Sequence, residues 1–444
     1  GVPYKINGSD GLLKFGAKVR SKDKNYTINQ NTYENLGGVP NLDQFAGSPV
    51  KDKYLSGRYE MGNPLDIPKL VNYFNANPAQ FELQIADKAY DEALESYKAT
   101  EDVFATYIMA RQQVKKLMIL GGVRYERTKV GYNSKDVIIA ANGDIEEIRP
   151  VSGNSVYDFI LPQLHLKYEL DKFSNLRAAV TYSYARPNFS EIIPAQEINR
   201  EDEIATVGNA ALKPVKAINY DLMAEHYFGS VGIVSAGLFY KKLDNFIYRR
   251  ILFNSSYPLT GTPVIPSIDV VQSQNGNDAD VMGVELAFQR RLSFIPLLKD
   301  FSVYLNYTYT HSKANLQSRE ADEDNVNAKE ELRLPGQADH VGNASLAYEG
   351  KKFSARVSLN FNGSYLSEIG GTKAEDIFIK NRAQLDATVG YALTPRFRVF
   401  AEMLNITNQP LQAYQNNTTQ YIQREFYSYW MRFGLKFNLQ ATKN

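Results

Sequence analysis

The last stretch of the chain, Tyr427–Leu439 (YSYWMRFGLKFNL), limits what the whole can fold into. Tyr427, Tyr429, Met431, Phe433, Leu435, Phe437 and Leu439 fall on one register, and Ser428, Trp430, Arg432, Gly434, Lys436 and Asn438 on the other. Side chains of a strand alternate between faces, so this segment has one almost wholly apolar face and one mostly polar face. It outruns the usual strand of about 5–6 residues and satisfies the roughly 9–11 residues that a tilted strand needs to cross a bilayer. The pattern recurs upstream. In Phe301–Ser312, Phe301, Val303, Leu305, Tyr307 and Tyr309 alternate with Ser302, Tyr304, Asn306, Thr308 and Thr310. In Phe353–Tyr365, Phe353, Val357 and Leu359 oppose Arg356, Ser358 and Asn360.

Composition agrees with a strand-built membrane protein. Thirty Tyr and 23 Phe against one Trp is an aromatic load suited to strands. No run of 18 apolar residues exists, which excludes a transmembrane helix. A mean hydropathy of −0.38 leaves the membrane open, because barrel strands alternate and average low. A net charge of +1 argues against a nucleic-acid partner, whose surface would be strongly basic. With no cysteine, disulfides, thiolate metal sites and cysteine nucleophiles all drop out. Gly1–Asp10 has no apolar core of signal-peptide length, so the expectation is a mature chain or a piece of a longer precursor.

Read in order, the chain offers about fourteen strands. Gly11–Ile28 comes first, followed by a long polar connection, Asn29–Thr100, in which Phe81–Lys98 carries the residues of a short amphipathic helix. Strand pairs follow at Glu101–Gln113 with Lys115–Val130, Val156–Leu170 with Phe173–Ala185, and Ile218–Phe228 with Gly232–Tyr248. Loops are expected at Tyr132–Ser155, Asn188–Val215 and Arg249–Asp280. Met282–Leu292 and Phe301–Ser312 come next, then His340–Glu349 with Phe353–Tyr365, Gln384–Leu393 with Arg396–Ile406, and the last strand. Connections alternate between short and long, which is the layout of an all-β, antiparallel transmembrane barrel with long loops at one end and short turns at the other. The competing architecture, a large soluble propeller, would show blade repeats of roughly 40–50 residues, and none is evident.

Chemistry is sparse. No GxSxG, GxGxxG, P-loop or HExxH is present. The histidines His165, His226, His311 and His340 are scattered, and a hydrolase would need one of them brought to a serine in space. The acidic runs Glu201-Asp202-Glu203 and Glu320–Asp324 have the chemistry of a hard-cation site and equally that of solvated loops. No catalytic residue, metal site or cofactor is expected. Arg177, Arg356 and Arg432 share registers with small or polar neighbours, and Glu402 shares its register with Arg396 and Arg398. Lipid-facing Arg or Lys costs about 2–4 kcal/mol near the midplane, so these charges should face the lumen, holding a plug or pairing across strands.

By this point several segments resemble the TonB-dependent outer-membrane receptors. Tyr182–Pro194 (YSYARPNFSEIIP) is similar to the family's ARP-x-aromatic-x-E segment, and Asn209–Tyr220 (NAALKPVKAINY) to its NPxLKPExAxNYE segment, departing at Ala210 and Val215. Gly237–Tyr248 (GLFYKKLDNFIY), Gly283–Leu286 (GVEL), Arg398–Asn408 (RVFAEMLNITN) and Val103–Arg127, ending in GVRYER, also look like that family. The resemblance implies a barrel of about 22 strands with a plugged lumen, lodged in outer-membrane lipid and energised through the TonB complex. It would import a bulky scarce nutrient, captured by long loops and admitted by plug movement. The nutrient itself stays open among siderophore, glycan, cobalamin and peptide. Residues 1–444 then form the C-terminal part of the barrel, with the plug domain of the same precursor, the TonB-contacting region and the first strands lying outside this chain. A complete fourteen-stranded passive channel, or a structural barrel, remains the alternative.

Loops on a rigid scaffold usually carry binding residues. Arg186, Asn188, Phe189 and Glu191, where a strand runs into a loop with charge and an aromatic together, are the expected ligand-binding residues, although Pro187 alone would also mark a turn. Finally, Arg432-x-Gly434-x-x-Phe437-x-Leu439 resembles the C-terminal signal that outer-membrane barrels present to their insertion machinery.

Overall fold

The computed structural model describes residues 1–48, 62–140, 145–193, 196–199, 203–229, 232–255, 268–319 and 329–439. Among these, fifteen strands form one continuous wall. They are β1 (Val2–Ile6), β2 (Ser9–Tyr26), β3 (Tyr97–Val114), β4 (Leu117–Ile139), β5 (Ile145–Glu169), β6 (Ser174–Ala185), β7 (Val215–Tyr227) and β8 (Gly232–Asp244). After them come β9 (Asp278–Arg291), β10 (Phe301–Gln317), β11 (His340–Glu349), β12 (Phe353–Asn362), β13 (Arg382–Ala392), β14 (Phe397–Leu404) and β15 (Trp430–Phe437). Each pairs antiparallel with the next, from β1–β2 through β14–β15. This is the up-and-down meander of an outer-membrane barrel.

The period-two pattern sets the two faces. Leu305, Leu346, Val357, Leu359, Val389 and Phe433 lie exposed on one. On the other, Asn306, Asn343 and Asn360 stand directly opposite one another across β10, β11 and β12 and hydrogen-bond in series, at 2.8 and 2.5 Å. Gln384 of β13 continues the row. The three asparagines thus satisfy one another from strand to strand, while Gln384 bonds Arg382 and Asp386 of its own strand.

Fifteen wall strands exceed the fourteen expected because β1 was hidden by its length and its proline. It joins β2 through Asn7-Gly8, both at positive φ (49° and 78°), with Ile6 facing Ser9. Asn-Gly is the preferred two-residue hairpin turn, because its twist matches that of the flanking strands. The segment expected as the loop Tyr132–Ser155 is instead mostly strand. β4 and β5 run for 23 and 25 residues, about 78 and 85 Å at strand rise, so their hairpin projects far past its neighbours.

The other long connections are also more ordered than the sequence indicated. Between β2 and β3 lie two helices, α1 (Ile67–Ala76) and α2 (Ile85–Glu95), the second falling within the expected Phe81–Lys98. The Asn188–Val215 connection holds a one-turn helix, α3 (Phe189–Ile192), and the strands Gln196–Asn199 and Ile204–Val207. The first pairs parallel with the tip of β4, and the second parallel with Ile268–Asn275. Ile247–Ser255 completes this loop sheet. Ile138, Ile198, Ala205, Val207, Ile268 and Val270 are buried together and give it a core of its own. A second loop sheet joins Tyr365–Glu368, Ile377–Ile379, Leu411–Gln415 and Tyr421–Glu425. The acidic run Glu320–Asp324, residues Glu201 and Asp202 of the other run, and Ser230, between the expected strands Ile218–Phe228 and Gly232–Tyr248, lie outside the described residues.

Candidate functional site

Two cavities open at the long-loop end, on either side of the segment 186–193. The lower, about 410 Å³, is bounded by Lys22, Glu101, Tyr157, Arg186, Asn188 and Phe189. The upper, about 490 Å³, is bounded by Lys24, Tyr26, Tyr97, Glu191, Arg249 and Gln272, among others. Strand ends build the floor, and the loop sheet and α3 build the roof.

The structure brings Arg186, Asn188, Phe189 and Glu191 together between these cavities. Arg186 is the hub. Its Nη2 donates to Glu126 at 2.5 Å, to the Tyr184 hydroxyl at 2.5 Å and to Thr128 at 3.3 Å. Its Nε lies 3.4 Å from Glu101 Oε2, and its guanidinium stacks on the Tyr184 ring. Arg20 and Arg124 approach the same two carboxylates from β2 and β4, at 2.5 and 2.6 Å. Glu126, Glu101 and the three arginines therefore form one network in which charged hydrogen bonds offset desolvation. Asn188 and Glu191 close the turn that follows: the Asn188 backbone N–H donates to the Glu191 carboxylate at 2.7 Å, as in a capping box. Phe189 packs toward Ala99, Tyr132 and Ile193, with Lys22 Nζ 5.3 Å from its ring centre.

Sequence reasoning missed the opposite wall. Lys24 sits over the rings of Tyr97 and Tyr26, at 5.1 and 5.8 Å, a cation–π arrangement. Arg249 has no charged partner among the described residues. Glu197 accepts from the Tyr90 hydroxyl of α2. Burial first, and the Glu197 carboxylate second, push the Tyr90 phenol above its ordinary range. The signal available in the sequence was β2 itself, whose basic residues fall on one register.

The four charges expected to face the lumen are placed on the face that carries the asparagine row. Arg177 donates to Glu225 at 3.0 Å, Arg356 stacks on Tyr304, and Arg432 pairs with Glu402 directly across β14 and β15. A serine and a histidine do meet: Ser174 Oγ is 2.9 Å from His226 Nδ1. That hydroxyl also donates to Asp171 at 3.0 Å, and Asp171 accepts from the Phe173 N–H at 2.7 Å. These are the bonds of the β5–β6 turn. Among the described residues, no group of three His, Asp or Glu side chains is placed to hold a metal ion.

Comparison with known proteins agrees with the wall. In sequence, 278 residues are 23% identical to the iron-regulated outer membrane virulence protein of Vibrio cholerae serotype O1, covering 62% of this chain and 39% of that protein. In structure, the chain is similar to the unliganded ferric citrate transporter FecA (TM-score 0.58, 15% identity) over 98% of this chain and 52% of that one. It is similar also to the siderophore receptor PiuA from Acinetobacter baumannii (TM-score 0.61, 11% identity), over 98% and 54%. The chain thus spans about half the length of these receptors. The family model described as TonB dependent receptor-like, beta-barrel matches residues 2–406, and the chain belongs to that family of outer-membrane barrels.

Proposed function

We propose that this chain is the C-terminal part of the barrel of an outer-membrane receptor that imports a bulky nutrient ligand, energised through TonB by regions upstream of Gly1. The observation that carries this is the sorting of connections. Every second connection is short, and the long ones share the end of the wall at which the cavities flanking Arg186–Ile193 lie. In this reading that end faces the outside, and the polar face with Arg177, Arg356, Glu402 and Arg432 lines the lumen against a plug supplied by the same precursor. Closure by further strands, to about 22, fits the plugged transporters. Arg186 organises the cavity walls, while Phe189, Tyr97 and Lys24 present the surfaces a ligand would touch. No residue is assigned a catalytic role, because the Ser174 hydroxyl is committed to the Asp171 turn.

Capture tests this directly. Full-length receptor purified from its own outer membrane is analysed for retained small molecules, alongside Tyr97→Ala and Phe189→Ala. The expected result is a retained species that both variants lose. A receptor that retains nothing in any growth condition, while passing small solutes freely, would overturn the proposal in favour of a passive channel.

A further inference from the structure

β2 places Lys14, Lys18, Arg20, Lys22 and Lys24 on one register, all exposed. The other register carries Phe15 and Val19, which lie on the exposed apolar face at 64% and 76%. The cations recur every second residue, about 7 Å apart at strand rise. The series is broken only at Gly16, over which the Tyr107 ring lies. From Lys24 at the upper cavity to Lys14 is ten residues, about 34 Å, comparable with the roughly 30 Å hydrocarbon core of a bilayer.

β3 does not neutralise them, and β1 pairs with β2 only over Ser9–Leu13, short of every one of these cations. Directly opposite Lys14, Lys18, Arg20 and Lys24 on β3 stand Met109, Ala105, Val103 and Ala99. Only Lys22 faces a carboxylate, Glu101, and that group is held by Arg20 at 2.5 Å with Arg186 beside it. The next carboxylate, Glu126, is taken by Arg124 and Arg186. Among the described residues, Lys14, Lys18, Lys22 and Lys24 have no carboxylate partner. Lys22 and Lys24 rest on aromatic rings. With 50 basic and 49 acidic residues overall, the excess here is a matter of placement. A wall carrying one sign of charge in low-dielectric surroundings focuses its field on whatever passes.

We infer that β2 is a cationic track that leads an anionic ligand from the upper cavity down the lumen wall. The inference rests on the lumen assignment made under the proposed function, and it adds the ligand's charge class and its path. Carboxylate, phosphate and sulfonate groups all have the required chemistry, and the successive lysines offer equivalent steps without a deep well.

The chain has no cysteine, so single thiols report local potential. On full-length receptor in outer-membrane vesicles, cleared of any upstream cysteine, Lys18→Cys is reacted with a sulfonatoethyl methanethiosulfonate and with its trimethylammonium counterpart. Each rate is divided by that with a free thiol. The expected preference for the anionic reagent is about tenfold or more, falling to about unity when Lys14→Gln and Lys22→Gln are added. Asn343→Cys, on the same face far from the track, should react with little preference. All these side chains are on exposed positions of β2 or in the asparagine row. An absent preference at Lys18→Cys, or one that survives both glutamines, overturns the track. So does a thiol there that neither reagent reaches while Asn343→Cys reacts, since plug carboxylates would then cover the lysines. If Asn343→Cys is unreactive as well, the lumen assignment itself fails.

Discussion

Replacing Arg319 by methionine should loosen one set of loops and leave the wall intact. Arg319 follows the end of β10, and its side chain is 3% exposed. Its guanidinium donates to Glu330 at 2.5 and 3.0 Å, to Asp376 at 2.5 and 3.3 Å, and to the carbonyls of Gly370 and Thr372 at 3.1 and 3.0 Å. One side chain thus ties the β10–β11 connection to the β12–β13 connection. Methionine keeps most of the stem but leaves two largely buried carboxylates facing each other without the cation that bridges them, with only the charge of Lys373 still acting on Glu330. Removing one partner of a buried pair costs about 3–5 kcal/mol. Because Glu330 and Asp376 keep 7% and 12% exposure, the lower end, about 3 kcal/mol, is appropriate. At 1.4 kcal/mol per decade this is roughly a hundredfold in a local opening equilibrium. Hydrogen exchange read by mass spectrometry should therefore quicken by about that factor in Tyr365–Glu368 and Ile377–Ile379, with β12 unchanged. Adding Glu330→Gln and Asp376→Asn should recover most of the protection. Exchange in the loop strands that stays at the native rate would refute the reasoning, as would equal acceleration in β12.

The same network predicts a pH dependence. Burial raises the Glu330 carboxyl, but hydrogen bonds and charge from Arg319 outweigh it and hold the group below its ordinary value of 4.5. A depressed carboxyl lends stability that is complete above the unfolded value and is lost as pH falls through the folded one. Protease resistance of these loops should hold from pH 7 to about 5 and fall in more acid solution; a loss beginning near pH 6 would contradict this. Phe433, 72% exposed on the apolar face, should cost about 2–4 kcal/mol when changed to arginine. Urea unfolding of the receptor in lipid vesicles measures this, and an unchanged midpoint would place Phe433 away from lipid. Phe437→Ala should lower the amount of inserted protein, and unchanged outer-membrane levels would count against a targeting role.

The wall was legible because lipid enforces the period of two: every residue of Phe301–Ser312 must choose a face, and a one-residue slip would invert them all. β1 escaped because five residues containing a proline carry too little pattern, although Asn7-Gly8 marked its turn. The loop sheets escaped for a different reason. Gln196–Asn199 and Ile204–Val207 are four residues each, and the second finds its partner in Ile268–Asn275, more than sixty positions along. Arg186–Glu191 was singled out where charge and an aromatic meet at a strand end, and the fold sets that segment between the two cavities. Tyr97, Lys24 and Arg249 were not singled out, because the cavity draws them from strands more than two hundred positions apart at the extremes, and only the fold brings them together.

The central claim is that these residues work as the later part of a larger, plugged and energised receptor. The intact mass of the mature native protein, measured from its own outer membrane, tests that claim most directly. The account predicts a polypeptide well beyond these 444 residues, with room upstream for further strands and a plug. A mature protein no longer than this chain would contradict it and make the molecule a passive, plugless barrel.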